Sequence, residues 1–471
     1  MALYPAAGVF LLLWLWSVIR NADNGVPLVM AMLPFGMFAA LALGGLSLLL
    51  ANLLAMMTIG ILLVRRLSWR GRREPFHIPP AGLYLLAFAL YSLFAGFVMV
   101  RIFQGQFLVF PMNVTYKSTQ VSVFFPSTMW PLHPTKSNIS QSFYILLSCG
   151  FFLAAVLVLR RRGPRFAETG LVWAGGLNIL LGLLDLLGLD SLLGVIRTAD
   201  YSLANEHTVA GMARVIGGFS EASVFGAASA AFAGYFLMSF LIGRRGRDGF
   251  LALGNMAFAA LALSSTAFLA LAVAVVLVVL HARTYLHGAI SRTAGHVFVI
   301  GLAVLVSLLC VAVMLTPVLD LAADLLDRLF LSKRGTLSGM ERSAWAGAGF
   351  NAFFQTWGFG AGPGSLRGSG LASVMLGSVG LPGTICFLGF LYYAVGKPIG
   401  EAGLEMRRIY YASRVSALTL LTSMMVSATV PDPTLLLMSV TALAVSARDA
   451  SWISHQVNPR RAVREMAVEQ T

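Results

Sequence analysis

Charge is what this 471-residue chain has least of: Asp, Glu, Lys and Arg together make up 11% of it. A soluble globular domain carries about 25%, so the chain cannot cover a water-facing surface of its size. One large soluble core is excluded. With 58% hydrophobic residues the composition specifies a helix bundle solvated by lipid. Cysteine is scarce as well. Cys149, Cys310 and Cys386 are widely spaced in or beside apolar runs, so they read as ordinary buried thiols with no disulfide. The histidines are scattered and no pair has metal-ligand spacing, so neither a metal nor any other cofactor is expected. The first apolar stretch lacks a basic n-region, which argues against a cleavable signal peptide.

What charge there is has a strong sign, with a formal net charge of +14. The basic residues form short clusters between apolar runs: Arg65-Arg66 with Arg70, Arg72 and Arg73, then Arg160–Arg162, then Arg244, Arg245 and Arg247. Clusters at span ends mark the cytoplasmic side. The expected partner is therefore the lipid bilayer and not nucleic acid.

The apolar pattern predicts an all-α polytopic integral membrane protein of about 12–13 transmembrane helices, in a single transmembrane domain over 1–471. Predicted helices cover 6–19, 81–100, 143–159, 169–188, 222–242, 296–316, 376–396, 415–430 and 434–447. The run 28–64 is too long for one span and predicts a hairpin of two, turning at Gly44-Gly45. Residues 250–280 have cytoplasmic-looking flanks and a polar interruption, Ser264-Ser265-Thr266, which predicts two short helices meeting there. Two larger outside loops are expected, 101–142 and 317–375, the second opening with an amphipathic helix, 318–331, that carries Asp320, Asp324, Asp327 and Arg328 on one face.

Charge in or beside a membrane bundle costs about 2.5–3.5 kcal/mol per residue, so polar clusters there are functional candidates. The densest runs from Arg214 through Gly217, Gly218, Phe219 and Ser220 to Glu221 and Ser223. In a helix, Arg214 and Glu221 would face the same way. Alternatively the paired glycines break the helix and aim backbone N–H groups at an anion, or Arg214 and Glu221 form a structural ion pair. The second cluster is Glu341-Arg342 with Trp345, leading into Gly358, Gly360, Gly362, Gly364, Arg367, Ser369 and Gly370. Glycines let backbone amides approach a phosphate, and an arginine fork grips two of its oxygens. The Gly-Lys-Ser/Thr ending of a nucleotide loop is missing. A plain glycine loop with arginines at lipid head groups is the alternative. Ser264 and Ser265 read either as site residues or as helix hydroxyls bonded back to the preceding turn. Asn113 and Asn138 head glycosylation sequons.

The order of these pieces resembles the O-antigen ligase and polymerase superfamily of bacterial envelope enzymes. The resemblance covers about residues 200–395 and rests on Arg214–Phe219, Ser264-Ser265, Glu341-Arg342 with Trp345, Gly358–Gly364, and Gly380-Leu381-Pro382-Gly383. The His-Asn pair usual in the ligases is replaced by Arg367-Gly368-Ser369-Gly370, and the arginine usual at the polar break is missing from Ser264–Ala267. The stretch Phe219–Ser223 looks more like the exopolysaccharide polymerases.

The resemblance implies a glycosyltransferase-C-like bundle in the bacterial inner membrane, with its active face periplasmic. It implies a donor glycan on undecaprenyl pyrophosphate, metal-independent transfer and a chain-length regulator as partner. Arg214, Arg342 and Arg367 would hold the pyrophosphate; Glu221, with Glu341 as second candidate, would be the general base. Gly218, Ser264, Ser265 and Ser369 would line the substrate. A ligase of the same kind, a lipid-linked oligosaccharide flippase and a non-catalytic export scaffold are the rival readings. Asp185 and Asp190, near the end of the 169–188 span, are the residues that most favour the flippase.

Overall fold

The computed structural model describes residues 2–43, 46–68, 78–112, 115–116, 119–120, 129–199, 208–209, 212–286 and 337–457. The predicted 296–316 span, the amphipathic helix 318–331 and the Gly44-Gly45 turn lie outside them.

The described chain is an α-helical bundle. Its longer helices are α1 (Pro5–Arg20), α2 (Gly25–Ala31), α3 (Leu50–Leu67), α4 (Pro80–Ile102, containing a π turn at Ala95–Met99), α5 (Lys136–Arg162) and α6 (Pro164–Leu186). They continue with α7 (Ala222–Gly243), α8 (Gly246–Leu261), α9 (Ser265–Leu286), α10 (Leu337–Gln355), α11 (Leu371–Gly396), α12 (Leu404–Ser427) and α13 (Leu435–Val457). Among the described residues, seven of these (α3 to α7, α9 and α11) are long and apolar enough to cross a membrane. That is fewer than the 12–13 expected from the sequence. α1 and α8 have only 16 residues each, and α12 carries Arg407, Arg408 and Arg414.

The run 28–64 is a clear departure from expectation. It holds the end of α2, then two antiparallel strands, Ala39–Leu43 and Leu46–Leu49, and only then a single long helix. Ala2–Leu3 adds a third strand to Ala39–Leu43. A β-hairpin uses the same Gly-Gly turn chemistry as a helical one, so the sequence did not distinguish them. The break at Ser264, by contrast, lies where it was expected: α8 stops at Leu261 and α9 starts at Ser265.

Helix ends follow local chemistry. Thr135 and Asn138 form a capping box at the start of α5, with the Thr135 N–H donating to Asn138 Oδ1 at 2.7 Å. Gly163, at φ 79°, ends α5, and Pro164 opens α6. The centre of the bundle is α7, packed by α8, α9 and α12. Its Gly226, Ala228, Ala230, Ala231, Ala233 and Gly234 are buried, and small side chains let neighbouring backbones approach closely. Bulky apolar side chains such as Leu12, Ile19, Val64, Trp173, Phe250, Leu253 and Phe354 instead face outward, as lipid solvation requires.

One end of the bundle is basic and ion-paired. Buried Asp23 takes Arg161 at 2.8 Å, Arg162 at 2.9 Å and Arg65 at 3.3 Å. Arg408, fully buried on α12, donates to Glu168 Oε2 and Glu405 Oε1 at 2.6 Å each, and Tyr235 donates to Glu168 Oε1 at 3.2 Å. The arginine clusters legible in the sequence thus tie the α1–α2 turn, α3, α5, α6 and α12 together at this end.

Candidate functional site

The opposite end carries the polar clusters singled out from the sequence. Residues 214–221 are not helical; they form a turn that delivers Glu221 to the N-cap of α7. Arg214 and Glu221 therefore do not share a helix face. The turn does aim backbone N–H groups at an anion, but the anion is the protein's own Asp185. Its Oδ2 accepts from the amides of Ile216 at 2.6 Å and Gly217 at 3.0 Å, while Oδ1 pairs with Arg197. Arg197 also donates to the Gly217 carbonyl at 2.9 Å. Asp185 is thus a clasp for this turn. Gly217 needs its φ of 53°, and Gly218 is pressed against the Pro34 carbonyl and Leu181, with its own carbonyl accepting from the Met37 amide at 2.8 Å. Gly218, expected to face substrate, thus packs against the Pro34 backbone and Leu181.

Arg214 turns toward the α8–α9 break. Its Nε–H donates to the Ala262 carbonyl at 3.3 Å, and the Val215 amide donates to Leu261. Ser264 is buried and Ser265 half-buried at that break, which Leu263 makes possible with a φ of 44°. Ser264 precedes α9 and Ser265 is its first residue, so neither lies in a helix interior. The break sits one turn below Glu221, since Gly226 of α7 packs on Ala262 and Ala267.

α10 and the glycine-rich stretch make a re-entrant hairpin. α10 descends beside α11, with Gly349 against Ser373 and Gly377. The chain turns at Thr356–Gly360, where the Tyr91 hydroxyl donates to the Phe359 carbonyl at 2.8 Å and the Leu381 amide donates to Gly358. It then climbs back to Gly370, whose amide donates to the Ala428 carbonyl at 2.8 Å. The glycines fill this hairpin's interior. The amides of Gly360, Ala361 and Gly362 donate to Thr356 Oγ1, Gly377 and Ser378 at 2.8–2.9 Å, and a Cβ on Gly362 or Gly364 would strike the backbone of Ala95 or Ser137. Asn138, buried, donates to the Pro363 carbonyl at 2.8 Å and to Ser365 Oγ at 2.7 Å. Its sequon is therefore inaccessible in the fold. The glycines expected to cradle a phosphate instead seat the hairpin in the bundle.

The charged residues are what the hairpin delivers. Arg367 is half-buried, its guanidinium carbon 4.2 Å from the centroid of the Trp345 ring. Burial pushes its pKa below the usual arginine value, opposed by Glu221 and Glu341 and reinforced by Arg342. Glu221, Glu341 and Arg342 thus each lie within electrostatic range of Arg367. Glu221 is exposed and accepts from Ser223 Oγ at 3.0 Å, whereas Glu341, Arg342 and Ser369 are half-buried. Arg214, Ser264 and Ser265 lie at the break.

Sequence reasoning missed Asp432. It stands between Pro431 and Pro433 in the loop joining α12 to α13, and accepts from Ser148 Oγ of α5 at 2.7 Å. Removal from water raises its pKa to about 6, against the Ser148 hydrogen bond and the Thr434 amide, which lower it. The signal was a single carboxylate inside the apolar stretch 415–447. Among the described residues no group of three His, Cys, Asp or Glu side chains is placed to hold a metal ion. No protein-family model matches the chain, and no curated protein matches it in sequence.

Proposed function

We propose that the chain is a polymerase of polyprenyl-pyrophosphate-linked oligosaccharide units, acting at the periplasmic face of a bacterial inner membrane. The observation that carries the reading is Arg367, held against Trp345 on the end opposite the basic one, with Glu221, Glu341 and Arg342 each within its electrostatic reach. Metal-free glycosyl transfer from a pyrophosphate needs those two kinds of group. Guanidinium forks stabilise the negative charge that grows on the leaving pyrophosphate. A carboxylate takes the acceptor's proton.

In this reading the acceptor hydroxyl oxygen attacks the anomeric carbon and the bond from that carbon to the pyrophosphate oxygen breaks. The hydroxyl proton passes to the carboxylate, and polyprenyl pyrophosphate leaves. Arg342 and Arg367 hold the pyrophosphate, and Arg214 with Ser264 and Ser265 contacts the glycan below. Ser369 lines the same face. Glu341, being less exposed than Glu221, meets the demand for a desolvated base better. The polyprenyl tail lies in the bilayer.

The test is polymer formation by purified protein in nanodiscs given the cognate lipid-linked unit, with Arg367→Ala, Glu221→Gln and Glu341→Gln beside the wild type. A ladder lost in Arg367→Ala and in one of the Glu variants supports the reading. Transfer to a lipid A–core acceptor without a ladder makes the protein a ligase. Movement of the intact unit across the bilayer without any new glycosidic bond makes it a flippase.

A further inference from the structure

The basic end holds a cavity that the reading above does not use. It has a volume of about 210 Å³ and is lined by Arg165, Glu168, Thr169 and Val172 of α6 with Arg245 of the α7–α8 turn and Arg247 of α8. One water molecule takes up about 30 Å³ of liquid, so there is room for a larger group.

Its walls carry three guanidiniums and one carboxylate. The carboxylate, Glu168, is buried and already engaged by Arg408 and Tyr235. Arg165 and Arg245 each reach Glu405 at 2.9 Å, Arg245 lies 4.0 Å from Glu168, and Arg247 pairs with Asp248 at 3.2 Å. A guanidinium has five N–H groups, and these contacts leave donors over on each of the three. α6 and α8 both begin here, at Pro164 and Gly246, so the positive ends of two helix dipoles add to the field. The cavity therefore favours an anion with several acceptor oxygens, which is the chemistry of a phosphate.

The surroundings decide where that phosphate comes from. Trp173, next to Val172, is 67% exposed, and Phe250 and Leu253, on α8 just beyond Arg247, are each 69% exposed. Exposed apolar side chains thus stand within one or two turns of the basic pocket on both helices. Basic pockets between transmembrane helices recognise anionic phospholipid head groups in this way. We propose that the cavity binds the head-group phosphate of an anionic membrane phospholipid, with its acyl chains running along Trp173, Phe250 and Leu253. The site stands independently of the glycosyl-transfer reading.

The test is lipid retention by delipidated protein, read by native mass spectrometry after incubation with an equal mixture of dioleoyl phosphatidylglycerol and dioleoyl phosphatidylcholine. Wild type is expected to keep the anionic lipid preferentially. Arg165→Gln with Arg247→Gln should lower that retention about tenfold, the scale of a lost charge-assisted hydrogen bond. Thr169→Trp, which fills the exposed mouth and leaves every arginine in place, should lower it equally, while thermal unfolding shows both variants folded. Equal retention in wild type and variants overturns the proposal. So does a site that takes inorganic phosphate but shows no preference for the anionic lipid.

Discussion

Arg367 stacks on Trp345, guanidinium carbon to ring centroid 4.2 Å, and this contact joins the last turn of the re-entrant hairpin to the helix that began it. A cation over an indole contributes about 0.5–2 kcal/mol, more as water is removed. The stack also fixes which way the guanidinium fork faces.

Arg367→Lys keeps the charge but loses the plane and the fork. Under the proposed chemistry it is expected to lower turnover about 100-fold, the lower end of the scale for one lost electrostatic contact to the transition state, since the charge is kept. Trp345→Leu should fall between wild type and Arg367→Lys. Initial rates of ladder formation give the ranking. Full activity in Arg367→Lys would detach this arginine from the chemistry.

Gly364 is the glycine whose replacement should be least tolerated. Its φ is 82°, and an added Cβ would meet the backbone of Ser137 and Asn138. Gly364→Ala is expected to cost about 1–3 kcal/mol from the strained φ alone, with the clash added. Gly347, on the exposed face of α10 with nothing near its Cβ position, should accept alanine without loss. Thermal unfolding in detergent compares the two.

Arg408 has no exposure to solvent and two carboxylate partners at hydrogen-bond distance. Breaking a buried pair so that its charge is left alone costs about 3–5 kcal/mol, and with Glu405 still at 2.6 Å from Arg408 the loss of Glu168 falls at the lower end of that range. Glu168→Gln should therefore destabilise strongly. Glu168→Gln with Arg408→Met should recover much of the loss, and a double-mutant cycle on unfolding midpoints measures the difference.

Asp432 makes a pH prediction. Its folded-state pKa, about 6, lies above the ordinary carboxylate value of 3.8, so the folded protein holds this proton more tightly than the unfolded chain. Below pH 3.8 the group is neutral in both states and costs nothing. As pH rises from 3.8 to 6 the penalty grows, and above 6 it is constant at roughly 3 kcal/mol. Asp432→Asn should match wild type near pH 3 and exceed it in stability at pH 7. Unfolding midpoints of both proteins across that range test this, and parallel curves would refute it.

Much of the architecture was legible because lipid solvation writes itself into composition and period. The helix ends at Arg162, Gly163 and Pro164, and the break at Ser264, follow from breakers and basic clusters in otherwise apolar runs. The 28–64 run was misjudged because length alone cannot separate two short helices from a hairpin of strands followed by one helix. Asp432 was passed over as a loop residue, and nothing local says that its carboxylate meets Ser148 of α5.

By itself the sequence determined that this protein is a multi-pass helical bundle with one strongly basic end, because too little charge is present to face water and what there is clusters between spans. It also identified the polar residues of the opposite end, since isolated charge is costly near lipid. Only the tertiary structure decided what each of them meets. The anion facing the Gly217 turn is Asp185, and the glycines of the hairpin meet backbone. Glu221, Glu341 and Arg342, from two other segments, come within electrostatic reach of Arg367. Hydrophobic period reports which way a residue faces within its own helix, whereas these pairings depend on how distant helices are packed.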